Sequence, residues 1–179
     1  MKKALIIVFI VILVSVLMPF INSYFKKPDL TVGFKNESVW FNMSPTELMR
    51  IKGKPFKIDD NIENFATIDY YFSEENYGVK SEVVYSFHKS FLNKNLISVN
   101  TDIPISDEST GKKLFNEINN NMTGIYQTKK FYYNKGIEDN WNTDKTIKSN
   151  FGTYNGATGI NVNIELTENN LYISAFNLE

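Results

Sequence analysis

The sequence predicts an α+β protein with an N-terminal transmembrane or signal helix followed by two tandem helix-plus-antiparallel-meander units, with the helices on one sheet face. An apolar run near the N-terminus has the length of a membrane span, and strand-like alternation recurs in two later groups of segments, each preceded by one helix-like segment. The predicted domains are a signal-anchor segment (1–25), a linker (26–36), a first unit (37–104) and a second unit (105–179).

The N-terminal segment resembles a secretory signal or an anchor. Ala4–Ile21 is apolar except for Ser15, and Lys2 and Lys3 precede it. Extended to Phe25, the segment is about 33 Å long as a helix, and a hydrocarbon core is about 30 Å thick. Leu, Ile, Val and Phe surround this helix on all sides, whereas a surface helix has one apolar stripe.

An uncleaved anchor is the favoured interpretation, because Ile21-Asn22-Ser23 is a poor match to an Ala-x-Ala cleavage site. A cleaved signal and a buried helix are the alternatives. The predicted location is the cell membrane, crossed once by residues 4–25 with the C-terminal part outside; cleavage would make the protein secreted. Lysine pairs on both sides leave the orientation nearly balanced by charge.

The first helix of the folded part has clear start and stop signals. Ser44 is a suitable N-cap, Pro45 fits the first helical position and Glu47 completes a capping box. Gly53 suits the left-handed C-terminal position, and Pro55 prevents continuation. These signals predict a helix of about two and a half turns.

Three strands are predicted after this helix, because apolar and polar residues alternate as in a sheet covered on one side. They are Thr67–Phe72, Val79–His88 and Leu96–Ile103. In the last, Ile97, Val99 and Ile103 are assigned to one face. Asn93–Asn95 is predicted to join the last two strands as a hairpin turn.

The second unit repeats the pattern of one helix followed by strands. The helix is predicted from Ser106 to Gly124, with four apolar residues at helical spacing (Leu114, Phe115, Ile118 and Met122). Strands are predicted near Lys129–Tyr133, Thr146–Tyr154, Thr158–Thr167 and Leu171–Asn177.

Short motifs in both halves resemble the beta-lactamase-inhibitor-protein-like domains and the SmpA/BamE-type envelope lipoproteins. The matching positions are Met43, Ser44, Glu47, Leu48, Gly53, Pro55 and Tyr70–Tyr71, and in the second half Trp141, Thr143, Asp144 and Thr146. The resemblance covers about residues 37–177. The chain departs from it because Gly124 is not followed by x-Pro and there is no cysteine to carry a lipid. In the inhibitor family the concave sheet face grips another protein, so the resemblance implies a protein-binding sheet.

Composition excludes several kinds of chemistry. With no cysteine the chain cannot form disulfides, thiolate metal sites or a cysteine nucleophile, and its only histidine, His88, is interpreted as a solvent-facing strand residue. The oxygen-rich run Asp139–Asp144 lacks the central glycine and terminal glutamate of an EF-hand. No metal, no cofactor and no catalytic residue is therefore predicted, and the protein is interpreted as a non-enzyme.

Three carboxylate pairs could serve general acid catalysis, but their polar surroundings predict solvated turns or helix-start residues. They are Asp59–Asp60, Glu74–Glu75 and Asp107–Glu108. Residues 28–179 carry 15 basic and 20 acidic side chains, which disfavours binding to nucleic acid.

A sheet covered by helices on one side leaves the other side for recognition. Alternation assigns five residues to this side as candidate partner-binding residues: Tyr71, Val84, His88, Tyr172 and Phe176. Exposed aromatic residues are frequent interface anchors, although these could instead pack on the linker or the other half. The expected function is a non-enzymatic extracytoplasmic binding module at the bacterial envelope that recognises a protein or envelope component. The alternative is an envelope-polymer-processing enzyme or an inhibitor of a secreted enzyme.

Overall fold

The computed structural model describes residues 39–61, 67–89, 95–127, 132–155 and 158–178. Within these ranges there are two helices, α1 (Pro45–Lys52) and α2 (Glu108–Gln127). The strands are β1 (Lys57–Asn61), β2 (Thr67–Asn76), β3 (Val79–His88), β4 (Leu96–Pro104), β5 (Tyr132–Asp139), β6 (Ile147–Asn155), β7 (Thr158–Leu166) and β8 (Asn170–Leu178). The predicted signal or transmembrane helix lies outside the described residues, and none of the described helices is long and apolar enough to span a membrane.

All eight strands belong to one antiparallel sheet with the order β1-β2-β3-β4-β8-β7-β6-β5. β4 and β8, the last strands of the two meanders, pair with each other from Ser98–Phe176 to Pro104–Asn170. The predicted fold class, with two separate helix-plus-meander units, is therefore wrong. Separate sheets would leave β4 and β8 as edge strands with unpaired backbone groups, and joining them at the centre satisfies those groups.

Both helices contribute to a single hydrophobic cluster on one face of this sheet. Leu48 of α1 and Phe115 and Ile118 of α2 belong to the same buried cluster as Tyr85 of β3 and Phe151 of β6. α2 contacts β5, β6, β7 and β8. The opposite face, turned away from α1 and α2, is the open face; it includes Tyr71, Val84 and Ser174.

The boundaries predicted for α1 are confirmed. The Ser44 hydroxyl accepts a hydrogen bond from the Glu47 amide (3.2 Å), and the Glu47 carboxylate accepts one from the Ser44 amide (2.8 Å). Gly53 adopts a positive φ of 83° and its amide donates to the Met49 carbonyl at 2.9 Å. Local capping therefore determines both ends of this helix.

Several strand predictions need correction. β1 was not predicted, because Lys57–Asn61 is polar and shows no apolar alternation. The strand predicted at Lys129–Tyr133 was ended too early, because β5 continues to Asp139 through Asn134-Lys135-Gly136, which resembles a turn. The first three predicted residues, 129–131, lie outside the described residues. Most of the predicted turn at Asn93–Asn95 lies outside the described residues.

In β4, a register shift opposite Ser86 and Phe87 makes Leu96 the buried residue and leaves Ile97 half-buried. The predicted assignment of Ile97 to the same face as Val99 and Ile103, both of which are buried, is therefore wrong. A β-bulge, which inserts one extra residue into a strand, interrupts simple alternation at this point.

Candidate functional site on the open face

The register of the sheet arranges the open face in rows that run across the strands. One row contains Ser73, Glu82, Asp102, Tyr172, Glu165 and Lys148, from β2 to β6. The next row contains Tyr71, Val84, Asn100, Ser174, Asn163 and Asn150. The face therefore combines carboxylates, amides and a few aromatic rings.

The five candidate residues from the sequence all lie on this face but do not form one patch. Tyr71 and Val84 are direct cross-strand partners, whereas His88 lies at the far end of β3 opposite Thr67. Tyr172 and Phe176 lie on β8, beyond the intervening β4, and are 38% and 36% exposed. The structure thus brings together Tyr71 with Val84 and separates both from the aromatic residues of β8.

Two carboxylates face each other on neighbouring strands next to Tyr172. Glu82 pairs with Asp102, and Asp102 pairs on its other side with Tyr172. Glu82 is exposed, whereas Asp102 is half-buried and its Oδ1 is buried with no hydrogen-bond partner among the described residues. Burial, followed by the charge of Glu82, raises the pKa of Asp102. Like charges directly opposite each other destabilise a sheet, so this carboxylate pair is held at a cost in stability.

Asp102→Asn should therefore stabilise the protein at pH 7, by up to about 1 kcal/mol in the free energy of unfolding. Because the folded-state pKa of Asp102 is raised, the native protein binds this proton more tightly than the unfolded chain. The destabilisation is present above the folded pKa and disappears as the pH falls below the ordinary Asp value of about 3.9. Urea titrations from pH 7 to pH 3 should show the advantage of the variant shrinking to zero; a constant difference would contradict this origin.

A cleft of about 360 Å³ opens over the β5–β8 half of the same face. It is called the polar cleft and is lined by Lys135, Gly136, Glu138, Lys148, Ser149, Asn150, Asn163, Ile164, Glu165, Ser174 and Phe176. The Asn150 amide nitrogen donates to Asn163 Oδ1, and Lys148 Nζ lies 3.0 Å from Glu165 Oε1. That hydrogen bond with Glu165 raises the pKa of Lys148.

A bulge in β5 forms one wall of the polar cleft. Asn134 pairs with Phe151 and Ile137 with Ser149, so Lys135 and Gly136 together face the single residue Asn150. Gly136 has a positive φ of 79°, and its amide donates to Asn134 Oδ1 at 2.8 Å. Glycine takes up the left-handed conformation without steric cost, which lets β5 bend here and continue as a strand.

The three carboxylate pairs that are predicted to be solvated have partners in the structure, and the prediction is wrong for Glu74, which lies in strand β2 and whose side chain is only 16% exposed. Asp59 and Asp60 lie close to Lys57 and Lys89, at 2.5 and 2.6 Å, and Glu74 pairs with Lys52. In the third pair, Asp107 accepts a hydrogen bond from the Thr110 amide at 2.9 Å. Hydrogen bonds from Thr110 lower the pKa of Asp107, as expected for a helix N-cap.

The oxygen-rich loop before β6 is an ordinary turn within the described chain. Asp139 Oδ1 accepts a hydrogen bond from the Trp141 amide, and Asp144 Oδ1 accepts from the Thr146 hydroxyl. No group of three or more potential metal ligands occurs among the described residues.

Sequence reasoning missed the carboxylate pair and the polar cleft. Period-two alternation puts Glu82 on the open face of β3, and Asn163 and Glu165 on the open face of β7. Their neighbours across the sheet depend on strand order and register, for which the sequence held no direct signal. Alternation could have identified these residues as neighbours only if the pairing of β4 with β8 had been known in advance.

No family model, no curated protein and no solved structure matches the chain. The resemblance to beta-lactamase-inhibitor-protein-like and SmpA/BamE-type domains therefore stays a prediction from the motifs around Ser44–Pro55 and Trp141.

Proposed function

We propose that this protein is a non-enzymatic binding module of the bacterial cell envelope that recognises a partner protein through its open face. Residues 4–25 would hold it at the membrane, with the sheet on the outer side. The observation that carries the proposal is the carboxylate pair, Glu82 and Asp102, next to the exposed ring of Tyr172.

The composition of this region indicates the chemistry of the partner. No basic side chain forms an ion pair with Glu82 or Asp102 among the described residues, and charge repulsion between them costs stability. A lysine or arginine from a partner would relieve the repulsion and leave both carboxylates compensated. Rings such as Tyr172 supply large apolar contact area at little cost in side-chain entropy, which is typical of interface anchors. We infer a partner surface that presents a basic group beside apolar residues.

The inhibitor alternative is the special case in which the captured partner is a secreted enzyme. It uses the same face and the same residues. The envelope-polymer-processing alternative would instead require a catalytic group on this face. None of the observations on the described residues of this face favours one.

Replacing both Tyr172 and Phe176 with alanine should abolish capture of the partner and leave the melting temperature nearly unchanged. Both rings are more than one-third exposed, so their removal costs little core packing. The measurement is an affinity capture from envelope extract with the tagged full chain, followed by mass spectrometry of proteins lost with the variant.

Ile58→Ala is the matched control, because Ile58 is 53% exposed but lies on the helix side of edge strand β1. It should retain every partner that the wild-type chain captures. Partners that persist with the double variant, or that are lost equally with the control, would contradict recognition through the open face. A large drop in melting temperature would instead place the two rings in the core.

A further inference from the structure

We propose that the polar cleft is a second binding site, and that its ligand is a neutral, hydroxyl-rich chain, namely an oligosaccharide. This goes beyond the proposed protein recognition, because the cleft lies over β5–β8 and the carboxylate pair lies on β3 and β4. Phe176 lines the cleft and is the one residue that also belongs to the candidate set for partner binding.

Charge in the cleft is balanced, which disfavours an ionic ligand. Its lining contains two cationic and two anionic side chains, Lys135 and Lys148 with Glu138 and Glu165. Lys148 is paired with Glu165 at 3.0 Å and stands opposite Glu138 in the β5–β6 register. A phosphate or sulfate group would be repelled by one carboxylate for every lysine that attracts it. A cation would be repelled by one lysine for every carboxylate that attracts it.

The floor of the cleft offers paired donors and acceptors without net charge. Asn163 and Asn150 are joined through their side chains, and Ser174 is the cross-strand partner of Asn163. The Oδ1 atom of Asn150 is buried and has no hydrogen-bond partner among the described residues. An unsatisfied buried acceptor costs free energy. A ligand hydroxyl that donates a hydrogen bond to this oxygen would recover part of that cost. A hydroxyl group both donates and accepts, so it matches an amide or serine side chain in either direction.

The shape of the polar row fits a short chain better than a single small molecule. Ser174, Asn163 and Asn150 line the cleft and follow one another across β8, β7 and β6. At about 4.8 Å per strand, two steps give a row of about 10 Å. The exposed ring of Phe176 lies at the side of this row and can pack against the C–H groups of a sugar ring.

An extended peptide fits this place less well. Peptides commonly add to a sheet through the free backbone groups of an edge strand. β6, β7 and β8 are inner strands, each hydrogen-bonded on both sides. β5 is the edge strand, so over β6–β8 the cleft offers side chains rather than free backbone groups. Phe176 is the one exposed apolar side chain in its lining, which gives a peptide a single apolar anchor there.

The test is an NMR titration of the ¹⁵N-labelled full chain in a detergent without a sugar headgroup. Maltotetraose, cellotetraose and chitotetraose are the neutral probes; a (Gly-Ser)4 peptide and tetragalacturonate are the peptide and anionic probes. At least one neutral sugar should shift the side-chain amides of Asn150 and Asn163, with a dissociation constant at or below about 1 mM. Asn163→Ala should weaken this binding about tenfold or more, because it removes a donor and an acceptor together.

Asn142→Ala is the matched control, since Asn142 is an exposed turn residue outside the cleft. It should bind the sugar as the wild-type chain does. If Asn163→Ala does not fold, Ser174→Ala tests the same row, and the shifts of the wild-type chain report the site without any variant.

The proposal is overturned if none of the three sugars shifts the cleft amides at millimolar concentration, or if the peptide or the anionic probe binds there instead. It is also overturned if the Asn163 and Asn142 variants bind equally well. Protein capture that persists in the Asn163 variant would leave the proposed function intact, so failure of one proposal is distinguishable from failure of the other.

Discussion

Replacing Lys52 with methionine should lower the free energy of unfolding by about 3 kcal/mol. Lys52 Nζ lies 2.6 Å from Glu74 Oε2, and the two side chains are only 12% and 16% exposed. The Tyr85 hydroxyl donates to Glu74 Oε1 at 2.7 Å. Methionine keeps most of the side-chain volume but removes the ammonium group, so the largely buried Glu74 carboxylate loses this ion pair.

The control for this experiment is the exposed ion pair of Lys89 with Asp60. Its distance is also 2.6 Å, but its side chains are 35% and 50% exposed, so Lys89→Met should cost less than about 1 kcal/mol. Adding Glu74→Gln to Lys52→Met should recover much of the lost stability, because no charge is then left uncompensated. Urea denaturation at pH 7 gives all three values. Equal losses for the Lys52 and Lys89 variants would show that the first pair is effectively solvated.

The ends of α1 were predictable because capping is local. Ser44 and Glu47 satisfy each other's backbone amides within one turn, and Gly53 ends the helix through its own backbone conformation. Such signals occupy adjacent positions in the sequence, so they can be read without knowing the rest of the fold.

The single sheet was not predictable in the same way. The contact that joins the two meanders is the pairing of β4 with β8, which are separated by α2 and three strands in the sequence. Alternation tells which face a residue occupies but not which strand lies beside it. The same limit explains why the exposed Tyr172 was found while its neighbour Asp102 was missed.

The end of β5 was predicted wrongly because Gly136 suggested a turn. Asn134-Lys135-Gly136 has the composition of a turn, yet β5 continues through it as a bulge. The bulge is also what places Lys135 beside the polar cleft, so the error in the strand prediction and the missed site have one cause.

Replacing Phe151 with alanine should lower the free energy of unfolding by about 3–5 kcal/mol. Phe151 of β6 is fully buried, and its ring centre lies 5.9 Å from that of Tyr126 of α2. The substitution leaves a cavity between the helix and the half of the sheet that carries the polar cleft. Phe56→Ala is the matched control: Phe56 is 61% exposed, so its loss should be within about 0.5 kcal/mol.

The shape of the thermal transition tests the corrected fold at the same time. β8 pairs with β4, and residues of both meanders belong to one buried cluster, so unfolding of β5–β8 would expose apolar surface and an open strand edge on β1–β4. Differential scanning calorimetry of the Phe151 variant should therefore show one transition shifted as a whole. Two transitions, with only one shifted, would mean that the two halves unfold independently despite the shared sheet.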